Sequence, residues 1–334
     1  MGQHLRKHPK KAGGETSPAT RKLPNPLTAV SLTGTSAGRI EDIYDQQPAE
    51  ADLLKRALPG VKERIPSGAE LVSVGPSPGR AERLACRQLG PTVSALHYVS
   101  STASGTHRLP VGRQSAETPL RVNPGLVTDL PWLTDRWQRP LVLAVFHNLI
   151  FHLPPWRMFP LVSTIVGSGD RLFFTARLWP GPDDQVAPRP PDVPPKDAAP
   201  VRALTQCGLD TDESRITCHL DRITTERGPI YRSRYVISVD TKQEVHVGDE
   251  PIRLSPGETL SVPGDYRLQG YQVERYLWSN DLQIEELWTQ EAGNTAAFLV
   301  GTASQASPLS RRRPTCSREH EPTGELKRDA DRDS

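Results

Sequence analysis

The segment ELVSVGPSPGRAERLACRQL, residues 70–89, is the most informative part of the chain about its fold. Its first part, LVSV, has the length and the aliphatic content of a buried strand. The segment 75–79, GPSPG, cannot continue a strand, because its prolines and glycines favour a turn. After Gly79 the apolar residues recur at helical spacing. The stretch predicts a strand, a tight turn and a helix, the first unit of a nucleotide-binding α/β domain; an ordinary turn between a strand and a helix is the alternative.

Composition limits what kind of protein this is. The length of 334 residues suits one large domain or two modest ones. Apolar residues make up 36% of the chain and 33 residues are proline, so the part that forms a core is shorter than the chain. A net charge of +2 argues against a dedicated nucleic-acid binder. No apolar run is long enough to span a membrane, so we expect neither a membrane partner nor a secretory signal. Four cysteines without a C-x-x-C pair indicate reduced thiols in a cytoplasmic protein.

The two ends of the chain differ from its middle. Residues 1–39 are rich in Lys, Gly, Ser, Thr and Pro, and we expect a disordered tail there and at 302–334. Residues 40–66 have helical patterning, which Pro48 and Pro59 are expected to break into short pieces. These pieces precede the first strand, so they form an N-terminal helical cap that can fold over its ligand face.

The next two strand candidates carry polar groups that suit a nucleotide. Residues 93–99 predict a second strand that runs into Ser100, whose hydroxyl could bond a ribose in place of the usual carboxylate. Residues 126–130 predict a short strand that ends near Asp129. This carboxylate could accept a hydrogen bond from an exocyclic amine, or it could cap the turn before Pro131.

Residues 140–146, PLVLAVF, are the most hydrophobic strand candidate and suit the middle of a parallel sheet. His147, Asn148 and His152 follow at its carboxyl end, where open α/β sheets place their ligand sites. These histidines are candidates for a base or a substrate contact, although a histidine behind an apolar strand is more often structural. A helix over 155–166 and a strand over 170–178 complete a doubly wound α/β domain at 67–178.

The remainder of the chain has a different pattern. Residues 179–200 are rich in proline and predict an exposed loop. A smaller domain at 201–268 is expected to hold antiparallel strands, and the segment 269–301 returns to the main sheet with a helix and a closing strand pair. The predicted strands of the smaller domain cover residues 215–220, 231–239, 243–247 and 252–254, the helix covers 270–278, and the closing pair covers 282–288 and 296–300.

The order of these parts resembles the histidine-specific, S-adenosylmethionine-dependent Nα-methyltransferases of ergothioneine biosynthesis, with this chain as a divergent member. The segments that carry the resemblance are GAELVSVGPSPGRAERLA, PLVLAVFHNLIFHLPP, GSGDRLFFTARL, ESRITCHL, PGETLSVPGDYRL and WTQEAGNTAAFLV. The resemblance implies a Rossmann-like class I methyltransferase domain with a smaller α+β substrate or lid domain.

The resemblance also implies roles for individual residues. Gly75, Ser77 and Gly79 would line the methionine end of S-adenosylmethionine. Asp129 would bind the adenine amine, and Asn148 or its neighbours would lie near the sulfonium. The small-molecule substrate would be contacted by residues of the cap, of the turn after the central strand and of a turn at 256–268; the alternative for this last turn is that its charged residues are exposed and paired with solvent. The four substrate-contacting residues are Tyr44, His147, Asp265 and Arg267.

Departures from the family pattern affect the substrate and the cofactor. The first loop lacks the family's acid-Gly-x-Gly, and Pro263 and Asp265 stand where the family has the Glu and Ser that grip an imidazole. We therefore expect an amino-acid-like substrate other than histidine. The alternatives are a degenerate methyltransferase that serves as a binding scaffold, or a related enzyme that uses the same cofactor for another alkyl transfer or a cyclisation. Catalytic residues stay unassigned, no metal site is expected, and a monomer or weak dimer is the expected state.

Overall fold

The computed structural model describes residues 20–22, 48–75, 80–100, 120–124, 127–179, 194–246, 251–290 and 294–303. Its strands in chain order are β1 (Thr20–Lys22), β2 (Glu70–Val74), β3 (Ala95–Ser100), β4 (Leu120–Pro124), β5 (Leu141–Val145), β6 (Arg171–Arg177), β7 (Ser214–Thr225), β8 (Gly228–Val239), β9 (Gln243–His246), β10 (Pro251–Leu254), β11 (Thr259–Arg267), β12 (Leu282–Thr289) and β13 (Thr295–Thr302). Its α-helices are α1 (Pro48–Arg64), α2 (Arg80–Leu89), α3 (Leu130–Leu133), α4 (Pro155–Ile165), α5 (Ala199–Gln206) and α6 (Gly270–Trp278).

The larger domain is built on a central sheet that holds seven of the described strands, in the order β12-β13-β6-β5-β2-β3-β4. The strands β4, β3, β2, β5 and β6 are parallel, and β13 runs antiparallel to both of its neighbours. The strand order reverses between β2 and β5, which is where open α/β sheets bind their ligands. This topology confirms the predicted Rossmann-like α/β fold and the central position of β5.

Helices cover both faces of this sheet, because its strands carry apolar side chains on both sides. On one face, α1 and α2 pack against side chains such as Leu71, Val142 and Phe173. On the other face, α4 and α6 pack against side chains such as Val72 and Leu143. Alternate residues of one strand therefore enter different cores, and the predicted doubly wound arrangement is confirmed.

The helix α1 corrects the prediction for the N-terminal cap. Pro59 lies inside it, and the helix continues to Arg64 as one element. A proline in a helix costs about 3 kcal/mol, whereas burial of one large aliphatic side chain contributes about 1.5–3 kcal/mol. Leu54, Leu58 and Val61 of this helix are fully buried, so packing on the sheet outweighs the lost hydrogen bond.

The third parallel strand also differs from its prediction. It is Leu120–Pro124, whereas the predicted strand at 126–130 is a 3₁₀ turn at Val127–Asp129 followed by α3. Pro131 stands in the first turn of α3, where its fixed φ favours helix initiation over an extended chain. The 3₁₀ turn ends at Asp129, directly before α3 begins.

The smaller domain is a sheet of described strands in the order β1-β11-β8-β7, with the β9–β10 hairpin and α5 beside it. The strand β1 pairs parallel with Thr259–Ser261 of β11, and Arg21 forms an ion pair with Glu258 at 3.2 Å. This pairing corrects the predicted disorder at residues 20–22; the C-terminal tail from 304 lies outside the described residues. The predicted proline-rich loop ends at a helix, since Pro200 falls in the first turn of α5.

The segment PGETLSVPGDYRL was predicted to be a turn, but most of it is the strand β11, because it pairs with β8. The pairing has an irregularity between Pro263 and Tyr266. Gly264 lies at this bulge. A Cβ atom on Gly264 would lie 2.6 Å from Ser233 Oγ and 2.9 Å from Tyr235 Cε2. The absence of a side chain therefore lets β11 approach β8 and sets the position of Asp265.

We expect Gly264→Ala to lower the free energy of unfolding by about 1–3 kcal/mol, since the added methyl group has no space beside β8. Urea unfolding of the full chain measures this change. Gly270→Ala is the matched control, because its Cβ would meet Leu178 Cδ1 at an ordinary 3.7 Å. Equal stability of the two variants would contradict the close approach of β11 and β8.

Candidate active site

The candidate site lies at the carboxyl ends of β2 and β5, where the strand order reverses. Gly75 directly follows β2, and its backbone N–H donates to Val99 O of the neighbouring strand at 3.1 Å. His147 and Asn148 follow β5 after one further residue. The topology therefore brings together three residues that the sequence assigned to the cofactor or substrate site.

The turn after β5 has an unusual backbone. His147 and Asn148 have φ values of 57° and 60°, which is the left-handed region. The backbone N–H of His147 donates to Glu50 Oε1 at 2.8 Å, and Asn148 Oδ1 accepts from Arg177 N–H at 2.9 Å. Two consecutive residues in this region, held by contacts from α1 and β6, form the kind of constrained turn that is common at functional sites.

The side chain of His147 lies inside a buried cluster of charge. Its Nδ1 is 2.9 Å from Glu50 Oε2, and its Nε2 is 2.8 Å from Glu82 Oε2. The hydroxyl of Thr175 also donates to Glu50. His147 and Glu50 are each 3% exposed and Glu82 is 0% exposed. The predicted contact of His147 with substrate is therefore corrected: both ring nitrogens face carboxylates in the interior, and the ring has a structural role.

The carboxylates keep this histidine charged. Burial alone would lower the pKa of His147, but the charges of Glu82 and Glu50 and hydrogen bonds to both hold that pKa well above its usual value. Burial would likewise raise the pKa of Glu50, yet the charge and hydrogen bonds of His147 and the hydroxyl of Thr175 hold it below its usual value. An imidazolium between two ionised carboxylates leaves the cluster with one net negative charge.

This cluster reaches the end of β2 through Glu82. A Cβ atom on Gly75 would lie 3.3 Å from Glu82 Oε1 and 2.9 Å from the hydroxyl oxygen of Tyr98. Among the described residues no hydrogen-bond partner reaches Glu82 Oε1, although the atom is buried. An unpartnered carboxylate oxygen in the interior is costly, so this position beneath Gly75 suits a ligand with positive charge nearby.

A second polar cluster joins the turn after β5 to the smaller domain. Asn148 Nδ2 donates to Asp265 Oδ2 at 2.9 Å, and His152 Nε2 lies 3.2 Å from Asp265 Oδ1. The predicted residues Asn148 and Asp265 are thus in direct contact across 117 positions of sequence. Asp265 therefore contacts two side chains and is not paired with solvent alone, which was the alternative interpretation of Asp265.

Arg267, the other predicted substrate residue of β11, lies two positions further along the same strand. Its guanidinium is 5.7 Å from the centre of the Trp179 ring. A cation stacked on an aromatic ring keeps its hydrogen-bond donors at the edge of the plane. Asp265 and Arg267 therefore place opposite charges on the same segment of β11.

Several predicted site residues are located only in part. Tyr44, Ser77 and Gly79 lie outside the described residues. Ser100 is the last residue of β3 at the same edge of the sheet. Asp129 is half-buried, and at the start of the described helix α3 its side chain makes no capping hydrogen bond. The capping interpretation is thus not supported there, and the role of Asp129 toward adenine stays a prediction.

Sequence reasoning missed Glu50 and Glu82. The spacing of the apolar residues after Gly79 leaves Glu82 on another face of that helix, and Glu50 lies in a segment without a motif. An acidic residue in the first turn of the helix after a glycine turn is the one signal that pointed to Glu82. No local signal indicates Glu50, because its partner His147 is 97 positions away.

The described part of the chain shows neither a metal-binding cluster nor a membrane-spanning helix. Within it, no group of three or more His, Cys, Asp or Glu side chains is arranged to bind a metal ion. The helices that the structure describes include none with the length and apolar character needed to cross a membrane.

Cys86 of α2 is buried, and burial together with the charge of Glu82 raises the pKa of its thiol to about 12.

Known proteins resemble this chain only distantly. No protein-family profile matches the chain, and no curated protein matches it. Solved structures with similar architecture include an S-adenosylmethionine-dependent methyltransferase from Clostridium acetobutylicum, with 12% identity, a TM-score of 0.42 and coverage of 79% of this chain and 98% of that one. A sugar N-methyltransferase from Streptoalloteichus has 13% identity, a TM-score of 0.37 and coverage of 89% and 98%. With identities this low and TM-scores below 0.5, these similarities carry no argument about this chain, whose Rossmann-like sheet is established by its own strand order.

Proposed function

We propose that this chain is an S-adenosylmethionine-dependent methyltransferase whose substrate is a small, amine-bearing molecule of amino-acid type other than histidine. The observation that carries the proposal is the buried cluster of Glu50, His147 and Glu82 beneath Gly75. It places net negative charge and an unpartnered carboxylate oxygen at the position where an α/β sheet of this topology binds its ligand.

The cofactor fits this position by charge and by shape. S-adenosylmethionine carries a sulfonium and an ammonium, and an uncompensated buried carboxylate favours positive charge nearby. Gly75 presents bare backbone there, because a side chain would meet Tyr98 and Glu82. Together with Ser77 and Gly79 it would hold the methionine end, while Ser100 and Asp129 would hold the ribose and the adenine amine.

When bound, the cofactor supplies an electrophilic methyl group on its sulfonium. The protein needs to hold the substrate amine in line with that group and to exclude water, and it needs no covalent intermediate for this. Asn148 belongs to the turn after β5 and contacts Asp265 of the smaller domain. This contact joins the cofactor side of the site to the substrate side.

The charges on β11 support the substrate class. Asp265, whose side chain is 32% exposed, contacts Asn148 and His152 and places negative charge where it attracts an ammonium group. Arg267 on the same strand offers a guanidinium to a carboxylate. An α-amino acid carries both groups. Pro263 supplies no side-chain hydrogen bond to an imidazole, which is why histidine is excluded from the proposed substrates.

The test is calorimetry of the full chain with S-adenosylmethionine and S-adenosylhomocysteine. We expect roughly micromolar dissociation constants for both. Mass spectrometry then measures S-adenosylhomocysteine formed in the presence of the common L-amino acids and of glucosamine, and we expect a methylated amine from at least one of them.

Absence of binding at about 1 mM cofactor would overturn the proposal. Binding without any product across the panel would favour a scaffold protein. The solved structures named above are methyltransferases, and the proposal agrees with those names without depending on them.

A further inference from the structure

We infer that His152 is the general base of this reaction and that Asp265 and Asn148 are positioning residues that orient it. The inference rests on the proposed methyltransferase activity and adds a catalytic residue to it. It comes from the contrast between two histidines, His147 and His152, which lie five positions apart in the same turn region.

The orientation of His152 is set by a chain of contacts from the central sheet. Arg177 N–H on β6 donates to Asn148 Oδ1 at 2.9 Å. Asn148 Nδ2 donates to Asp265 Oδ2 at 2.9 Å, and the other carboxylate oxygen lies 3.2 Å from His152 Nε2. The two hydrogen bonds hold the Asp265 carboxylate, and its 3.2 Å contact places the imidazole with Nε2 toward Asp265. A carboxylate that orients an imidazole through one nitrogen leaves the other nitrogen for proton transfer.

His152 differs from His147 in what surrounds its second nitrogen. Both nitrogens of His147 face buried carboxylates, so neither nitrogen is open to a substrate. Among the described residues, no hydrogen bond involves His152 Nδ1, and the side chain of His152 is 13% exposed. A neutral ring with its proton on Nε2 toward Asp265 presents an unprotonated Nδ1. This is the form that a general base needs.

Among the described contacts, the charged group that meets His152 is Asp265 of β11. On the residue after Asp265, Arg232 of β8 lies over the Tyr266 ring at 4.9 Å from the ring centre. Trp156 of α4 packs edge-on against the same ring. Asp265 Oδ1 is buried and lacks a well-aligned hydrogen bond among the described residues. Catalytic hydrogen bonds often align only when substrate is bound, so this oxygen is available to complete the contact with Nε2.

The proposed step balances as follows. A substrate ammonium gives a proton to His152 Nδ1, and the resulting amine nitrogen uses its lone pair to form the new N–C bond. The C–S bond of the sulfonium breaks, and its electron pair stays on sulfur. The products are a methylated ammonium, S-adenosylhomocysteine and an imidazolium at His152, which returns its proton to solvent.

The first arm of the test needs no substrate. Nitrogen NMR of the full chain labelled in histidine reports the tautomer of each ring, and His152→Gln identifies the signal. We expect the neutral ring of His152 to carry its proton on Nε2, and Asp265→Asn to abolish this preference. A wild-type ring that carries its proton on Nδ1 would overturn the inference.

The second arm measures kcat against pH with whichever panel compound forms the most S-adenosylhomocysteine. His152→Gln is expected to lower kcat by about a hundredfold or more and to remove the acidic limb of the profile. Affinity for S-adenosylhomocysteine should stay unchanged in this variant, and His246→Gln, at an exposed histidine, is the matched control. An unchanged kcat and profile would overturn the role of His152 alone, whereas absent cofactor binding in the wild type would overturn the proposed function.

Discussion

Replacing His147 with asparagine is expected to lower the free energy of unfolding by about 3–5 kcal/mol, because it leaves two buried carboxylates without their cation. Glu50 and Glu82 approach the two ring nitrogens at 2.9 and 2.8 Å. Asparagine tolerates the left-handed backbone at φ 57°, so backbone strain does not account for the loss. Urea unfolding of the full chain measures the change.

The control for this variant is His246→Asn. His246 also contacts a carboxylate, that of Glu244, but its side chain is 63% exposed. An exposed pair of this kind contributes little, about 0–1 kcal/mol. If both variants lost the same small amount of stability, the buried cluster would not be a charged unit.

The stability difference between wild type and His147→Asn should depend on pH. Glu50 has a pKa below its usual 4.5, so its contribution is complete above that value and is lost as the pH falls through the lowered pKa. His147 has a pKa above its usual 6.5, so its contribution is complete below 6.5 and is lost as the pH rises through the raised pKa. The difference should therefore be largest between pH 4.5 and 6.5.

Gly75→Val is expected to weaken binding of S-adenosylhomocysteine by about tenfold to a hundredfold, since overpacking costs about 1–3 kcal/mol. A Cβ at this position meets Tyr98 Oη at 2.9 Å and Glu82 Oε1 at 3.3 Å. Both of these side chains are buried and packed, so the backbone at the end of β2 has to move. Calorimetry measures the affinity, and a thermal melt confirms that the variant is folded.

Two further variants test whether the steric contact at Gly75 is what weakens cofactor binding. Gly90→Ala adds a methyl group that meets Leu96 Cδ1 at an ordinary 3.8 Å, and it should bind cofactor like the wild type. Tyr98→Phe removes the oxygen that lies closest to the new side chain. The double variant Gly75→Ala, Tyr98→Phe should therefore bind S-adenosylhomocysteine more tightly than Gly75→Ala alone. Unchanged affinity in Gly75→Val would place the cofactor away from the end of β2.

Local patterns in the sequence were sufficient for most of the secondary structure. The helix Gly270–Trp278 has the bounds that its periodicity predicts. The strand Leu141–Val145 falls within PLVLAVF, and the helix Arg80–Leu89 follows the glycine turn as expected. These elements are set by the spacing of apolar residues within one segment. The spacing can therefore be seen in the sequence of each segment alone.

The elements that were predicted wrongly depend on distant partners. The helix α1 passes through Pro59 because it packs on the central sheet. The strand Leu120–Pro124 forms by pairing with β3, and Thr20–Lys22 forms by pairing with β11. A segment of three to five residues has little intrinsic preference for the strand conformation, so pairing with its neighbour in the sheet determines whether the strand forms.

The sequence alone was sufficient to predict the type of sheet and to place Gly75 after one central strand and Asn148 after another. What these residues contact depends on tertiary packing. Asn148 meets Asp265 across 117 positions, and His147 meets Glu50 across 97. The physical reason is that hydrophobic periodicity reports which face of an element is buried, whereas the partner of a buried charge depends on how separate elements pack. A buried carboxylate is stable only with a partner, yet no local spacing names that partner before the chain has folded.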